Sequence, residues 1–339
     1  MKIAVTMGDA CGVGPELVLR AFHNGELNEA FIVIGDIVAL HRAAQALKLD
    51  VAMQAIALGG ELTAGALNVV DAGLLKSADI TPGVLSRAAG DAAVQYVECA
   101  TRAALGGAVD AIVTLPINKE ASSLTHPGFQ GHTELIAELC GVRNYTMMLV
   151  APTLIVTHIS THVSMLKAVR RVRKKRILDV IRLTSAAVRT IRPRARIAVA
   201  GLNPHAGEHG LFGREDLEEI APAIAAARAE GIDAYGPAAP DTVFVQAVEH
   251  NACDAVVCMY HDQGHIPLKL LGFHDGVNVT IGLPIIRTSV DHGTAFDIAY
   301  KGVASTRSFA AAFALAATMA RAHKGTPRPR VTQRRTASQ

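Results

Sequence analysis

Short runs of Val, Ile and Ala alternate along the chain with longer Ala- and Leu-rich segments whose apolar positions recur at helical spacing. This is the pattern of βα units wrapped around a largely parallel sheet. Residues 2–7, 30–34, 111–115, 154–157, 196–200, 255–259 and 277–281 read as strands. Residues 16–22, 82–105, 134–139, 177–191, 217–230, 241–249 and 308–323 read as helices. The pattern predicts an α/β fold. A length of 339 residues suits two domains. The Pro-, Gly- and His-rich stretch 116–131 is where the chain is expected to cross between them. There is no internal repeat.

Composition narrows the class without naming a chemistry. Half the residues are hydrophobic and 19% are charged, which excludes disordered and collagen-like chains. The helix-like apolar stretch 309–320 is far short of the roughly 20 residues that span a bilayer, and the first residues lack the apolar core of a secretion signal. A cytoplasmic protein without a membrane partner is expected. The formal charge of +3 comes from the end of the chain, where Arg321, Lys324, Arg328, Arg330, Arg334 and Arg335 have no acidic counterpart, leaving 27 basic against 30 acidic residues elsewhere. That tail, from about residue 325, reads as a solvated disordered end. The basic run 170–176 reads as the wet face of the helix it opens, so no nucleic-acid partner is expected. Cys11, Cys99, Cys140, Cys253 and Cys258 are odd in number and lack CxxC spacing, as suits reduced thiols.

Polar loops follow several strand-like runs: GDACGVGPE after Met7, PINK after Leu115, HISTH after Thr157, GLNPHAGE after Ala200 and YHDQGH after Met259. In open parallel sheets, ligands bind outside the carboxyl ends of the strands, so these loops are expected to converge. His162, His205 and His261 lie on three of them. Three imidazoles would leave positions open on Zn, Co, Ni or Mn for a substrate oxygen, although His158, His209 and His265 compete for the same role. Gly8, Gly12 and Gly14 precede a helix with Asp36 after the next strand, but GxxxGxG is neither a dinucleotide fingerprint nor a P-loop, and a tight turn is the simpler reading. His132 and Thr133 open a helix and could form an anion pocket, or Thr133 could be a plain cap. Lys269, Asn278 and Arg287, spaced nine apart, add residue types that bind phosphate or carboxylate. SVDHGTAFDIAYKG is a polar turn running into a helix start, and could hold a nucleotide edge or be structural.

In order along the chain, GDACGVGPE, PINK, GHTE, STH, GLNPHAGEHGLFG, GPAAPDTVF, MYHDQGHIPLK and VNVTIGLPIIRTSVDHGTAFDIA resemble the 4-hydroxythreonine-4-phosphate dehydrogenase (PdxA) family of vitamin B6 synthesis, including its 4-phospho-D-threonate and 4-phospho-D-erythronate dehydrogenase branch. The resemblance implies a two-domain fold like isocitrate and isopropylmalate dehydrogenases, with a cleft between the domains. Residues 1–125 with 268–339 would form the NAD-side domain, and residues 126–267 the domain of the metal, substrate and dimer interface. It implies a homodimer with shared sites and one divalent metal (Zn, Co, Mg or Mn) on His162, His205 and His261. It implies substrate contacts from His132, Thr133, Lys269, Asn278 and Arg287, with Lys269 and nearby Asp241 as catalytic candidates. NAD, with NADP as the alternative, would lie against Asp291, His292, Gly293, Thr294, Ala295 and Asp297.

The implied reaction is oxidation of a secondary alcohol followed by loss of CO2 from the β-keto acid. For 4-phosphohydroxy-L-threonine, the preferred substrate, this gives 3-amino-2-oxopropyl phosphate in pyridoxal phosphate synthesis; the phosphothreonate and phosphoerythronate alternatives give dihydroxyacetone phosphate. Retention of GHTE, Asn278 and Arg287 argues against the family's dihydrodiol-oxidising relatives. Two positions depart from the family pattern: Ala10-Cys11 replaces a usual Pro-Ala, and Tyr300 a usual Gly. A metal-dependent hydrolase is the reading from another enzyme class, since three imidazoles could activate water.

Overall fold

The computed structural model describes residues 1–323, so the basic tail from about residue 325 lies outside the described residues. The strands are β1 (Ile3–Thr6), β2 (Phe31–Gly35), β3 (Met53–Ala55), β4 (Leu67–Asp71), β5 (Ala111–Thr114), β6 (Thr146–Val150), β7 (Ile155–His158), β8 (Ile197–Ala200), β9 (Ala234–Ala238), β10 (Ala255–Cys258), β11 (Val277–Ile281) and β12 (Ile286–Val290). The α-helices are α1 (Gly14–His23), α2 (Ile37–Leu47), α3 (Arg87–Leu105), α4 (Lys119–Ser123), α5 (His132–Leu139), α6 (Met165–Arg170), α7 (Lys174–Val188), α8 (Ala221–Ala229), α9 (Val243–His250), α10 (His261–Gly272) and α11 (Arg307–His323). The fold is α/β, as the sequence pattern predicts. No described helix is long and apolar enough to cross a membrane.

All strands join one sheet in the order β3-β4-β2-β1-β5-β12-β11-β6-β7-β10-β8-β9. The strands from β3 to β12 in this order are parallel to one another, as are those from β7 to β9. Between these two wings, β11 pairs antiparallel with both β12 and β6, and β6 antiparallel with β7. The antiparallel pairs reverse direction three times, so the wings point opposite ways. The molecule therefore has two carboxyl-end edges rather than the one expected: loops after β1, β5 and β12 belong to one, and loops after β7, β8 and β10 to the other.

The central strands are buried on both faces, as βα crossovers require. On one side α3 and α11 bring the buried side chains of Tyr96, Phe309 and Phe313. Glycine at position 14 is demanded by packing, since a Cβ there would lie 2.0 Å from the Met7 carbonyl oxygen. Asp36, the conceivable ribose acceptor, is 1% exposed and already accepts from the Leu74 and Leu75 amides at 2.6 and 3.0 Å and from the Tyr96 hydroxyl. The first glycine loop is thus a structural turn.

The main departure from the sequence pattern concerns residues 261–272. YHDQGH reads as a loop, yet His261 begins α10, which continues through Gly264 and Pro267. Both residues weaken the helical signal. Packing explains Gly264: a Cβ there would sit 2.6 Å from His158 Nε2 and 2.8 Å from Cys258 Sγ. Tertiary fit overrides propensity.

Candidate active site

A cleft of about 1190 Å³ opens where the two wings meet, lined by the segments after β5, β7 and β12, the start of α5, and α10. At its inner end is Arg287, on β12 between β5 and β11 and only 2% exposed. Its Nε and Nη2 donate to Thr114 Oγ1 at 3.1 and 2.8 Å, and its Nη1 to Thr280 Oγ1 at 3.0 Å and Thr133 Oγ1 at 3.4 Å. Neutral hydroxyls engage four of its five N–H groups and leave its charge unpaired. Burial accordingly pulls the guanidinium down to about 10, against a small opposing pull from Glu134.

Beside it, Gly131 at φ 149° turns the chain into α5, whose first residues are His132 and Thr133. Burial, then the nearby Arg287 charge, lowers His132 to about 3, so its ring is neutral at pH 7. Its Nε2 is buried without a hydrogen-bond partner, and so is Asn278 Oδ1 on β11. Buried polar atoms are rarely left unpaired. A buried cation, the Thr133 hydroxyl and a helix start make this corner a candidate anion pocket, and the two unpartnered atoms, both acceptors, leave room there for a ligand's hydrogen-bond donor. Lys269, from the last turn of α10, pairs with Asp291 at 3.2 Å in the same cleft.

Histidines line the opposite wall. The His162 and His261 rings lie 5.7 Å apart, and His265 stacks on His261 at 3.5 Å with a 13° tilt. Behind them, His158 Nε2 is 3.2 Å from His265 Nδ1. Burial and neighbouring imidazoles lower His158 to about 3 and His265 to about 4. His162 is lowered as well, by burial, then Lys119 and His261.

His205 does not join them. It sits exposed at φ 52° in the loop after β8, its ring 6.3 Å from Phe212, and does not line the cleft. Among the described residues no three His, Cys or acidic side chains of one chain gather at metal-binding spacing. Asp241 is likewise exposed ahead of α9 and outside the cleft lining. Of the segment expected against NAD, Asp291, His292 and Gly293 line the cleft. Thr294 instead packs on the first glycine loop, its carbonyl accepting from the Val13 amide at 3.0 Å; Ala295 is left-handed at φ 43° and Asp297 is exposed.

The model of the family described as "Pyridoxal phosphate biosynthetic protein PdxA" matches residues 27–316. The chain belongs to the PdxA family. Among its relatives, a D-threonate 4-phosphate dehydrogenase of Salmonella typhimurium is 47% identical over 323 residues, covering 94% of this chain and 98% of the relative. A 4-hydroxythreonine-4-phosphate dehydrogenase of Geobacter metallireducens is also 47% identical, over 328 residues, covering 94% and 96%. A solved structure titled as a putative 4-hydroxythreonine-4-phosphate dehydrogenase from Salmonella typhimurium superposes with a TM-score of 0.86 at 46% identity, covering 94% and 99%. This PdxA-family protein is thus a dehydrogenase acting on a secondary alcohol.

Thr114 and Thr280, which hold Arg287, were not among the expected site residues. Each reads as an ordinary strand position, and the strand pairing alone brings them to one guanidinium.

Proposed function

We propose that this PdxA-family protein oxidises a 4-phosphorylated hydroxy acid with NAD (NADP the alternative) and a divalent metal, and that the resulting β-keto acid loses CO2. The observation that carries the reading is Arg287, a buried cation without a carboxylate beside two orphaned polar atoms. A phosphate monoester supplies the missing charge and accepts from Arg287, Thr133 and the start of α5, with the Asn278 amide nitrogen as a further donor, while the unpartnered His132 Nε2 and Asn278 Oδ1 are left to accept from a ligand hydroxyl. Lys269 and Asp291 stand over the ligand beyond the phosphate. We assign Lys269 the exchange of the carbinol proton; its ion pair with Asp291 fixes the ammonium end of a flexible side chain.

The donor chemistry fits a metal in part. His162 and His261 are brought together, and a lowered pKa keeps His162 in the neutral form that coordinates. His162 and His261 of one subunit and the equivalent of His205 from a second copy would hold the cation. When bound, it would supply Lewis acidity for oxidation of the alcohol, and a bound nicotinamide would supply the hydride acceptor. A second copy is supported by α10, whose Ile266, Leu270 and Leu271 are 65%, 85% and 48% exposed, by Phe273 just past its end at 67%, and by exposed Leu211 and Phe212 on the His205 loop. Apolar side chains grouped in this way mark a surface covered by a partner.

Charge also bears on the substrate. Glu134 and Asp291 are the carboxylates lining the cleft, and Lys269 engages Asp291, which leaves little to receive an ammonium group. This favours 4-phospho-D-threonate over 4-phosphohydroxy-L-threonine, the reverse of the preference drawn from sequence. Rates of NADH formation measured side by side on the two compounds, with and without chelator, test both points. Full turnover in chelated enzyme would refute the metal, and faster turnover of the amino acid would reverse the substrate assignment.

A further inference from the structure

The basic run 170–176, which reads from sequence as a wet helix face, lies against the same cleft. Nine lysine and arginine side chains line that cleft against two carboxylates, whereas the whole chain carries 33 basic and 30 acidic residues. The imbalance is local. Part of the outer wall is committed elsewhere. Arg173 pairs with Glu219 at 2.9 Å, and Arg176 donates to the Ile159 and Tyr145 carbonyls and to Asn144 Oδ1, fixing the wall to the ends of β6 and β7. Among the described residues, Arg143, Lys167, Arg170 and Arg171 have no carboxylate within ion-pair distance, and all four line the cleft. The pKa of Arg176 falls through burial, with Asp179 opposing and Arg171 adding a smaller lowering. Exposed cations with no folding partner contribute nothing to stability through pairing. A cleft with low-dielectric walls and one sign of charge focuses its field outward.

We propose that Lys167, Arg170 and Arg171, with Arg143, form an outer anion-collecting site that draws the phosphorylated acid into the cleft and passes it inward to Arg287. The inference rests on the reading of the cleft as the site of a phosphorylated acid and adds an entry route to it. The ligand class is a small phosphate ester carrying a second negative group, because the wall offers several separated point charges and forks. The contribution is to capture, not to the chemical step.

The experiment compares the wild-type enzyme with the triple variant Lys167→Gln, Arg170→Gln, Arg171→Gln. All three side chains are exposed, so the fold is not at risk. With 4-phospho-D-threonate at low ionic strength, kcat/KM of the variant is expected to drop about tenfold with kcat held, and the two enzymes to converge as salt rises. Equal kcat/KM at low salt, or a deficit that high salt leaves untouched, overturns the proposal. If neither enzyme turns over any phosphorylated acid, the functional reading fails by itself. Calorimetric titration with inorganic phosphate then decides the outer site: weaker, less salt-dependent binding in the variant supports it, and identical isotherms overturn it.

Discussion

The Tyr300 hydroxyl donates to the carbonyl oxygen of Ala10 at 2.7 Å, joining the segment after β12 to the first glycine loop. Tyr300 is 7% exposed and left-handed at φ 62°, a conformation in which glycine is at ease and tyrosine is not. The strain is offset by a buried bond that clamps the first glycine loop to the segment after β12. The Val13 amide bonded to the Thr294 carbonyl at 3.0 Å forms a second clamp between the same loops. Tyr300→Phe removes only the bond and should cost about 1 kcal/mol. Tyr300→Gly relieves the strain but empties a buried aromatic site, and should cost more. If the proposed NAD site lies along the 291–297 segment that Tyr300 follows, KM for NAD should rise in both while kcat holds, read by thermal melts and NADH assays; an unchanged KM in both would confine Tyr300 to holding the two loops together.

On the proposed reading, Arg287 sets ligand affinity against the stability of the empty protein. Arg287→Met removes a buried charge that no carboxylate neutralises, so the melting temperature without ligand should not fall. Phosphate-ester affinity should drop by about a hundredfold or more, the worth of two charge-assisted bonds. A large loss of melting temperature in the ligand-free variant would show that the threonine cage, not the ligand, is what Arg287 serves.

Asp9 gives a pH test with a definite sign. Burial raises its pKa from 3.8 to about 6, against opposing hydrogen bonds from the Cys11 and Asn118 backbones, and its Oδ2 has no partner. The folded state holds the proton that the unfolded chain releases near 3.8. Stability is therefore lost as pH rises from 3.8 to 6, by about 3 kcal/mol for a shift of this size. Asp9→Asn keeps the acceptor for the Cys11 amide and should raise the melting temperature at pH 7.5. His132, lowered from 6.5 to about 3, acts oppositely: its contribution is full above 6.5 and lost as pH falls toward 3. His132→Asn should flatten the acid side of the melting profile, and an unaltered slope would contradict it.

His205 stands apart from His162 and His261 within one chain, so subunit mixing tests the shared site. His205→Ala and His162→Ala proteins should each be inactive. Co-refolded in equal amounts they should regain about a quarter of wild-type activity, because half the dimers are mixed and each mixed dimer holds one intact site. No recovery, alongside proven mixed dimers, would place all metal ligands in one chain.

Strand cores such as 111–115 and 277–281 were legible because β-branched runs bounded by polar loops have few other structural solutions. Residues 261–272 were not, since Gly264 and Pro267 obscure a helix that only the fit against His158 and Cys258 explains. The candidate anion pocket was half visible: His132, Thr133, Asn278 and Arg287 carry suggestive chemistry, whereas Thr114 and Thr280 are ordinary strand residues until β5, β12 and β11 lie side by side. The convergence of all the polar loops was an overstatement: segments after β5, β7, β10 and β12 line one cleft, while the loops after β1 and β8 do not reach it.

The guanidinium of Arg287 is rooted on a strand laddered on both flanks, so it cannot follow the movement of any loop. The opposite end of the cleft is built from segments after β7 and from an exposed helix, which tolerate replacement far more readily. Evolution can therefore retailor what the far end accepts, amine or hydroxyl, without disturbing the fixed mooring.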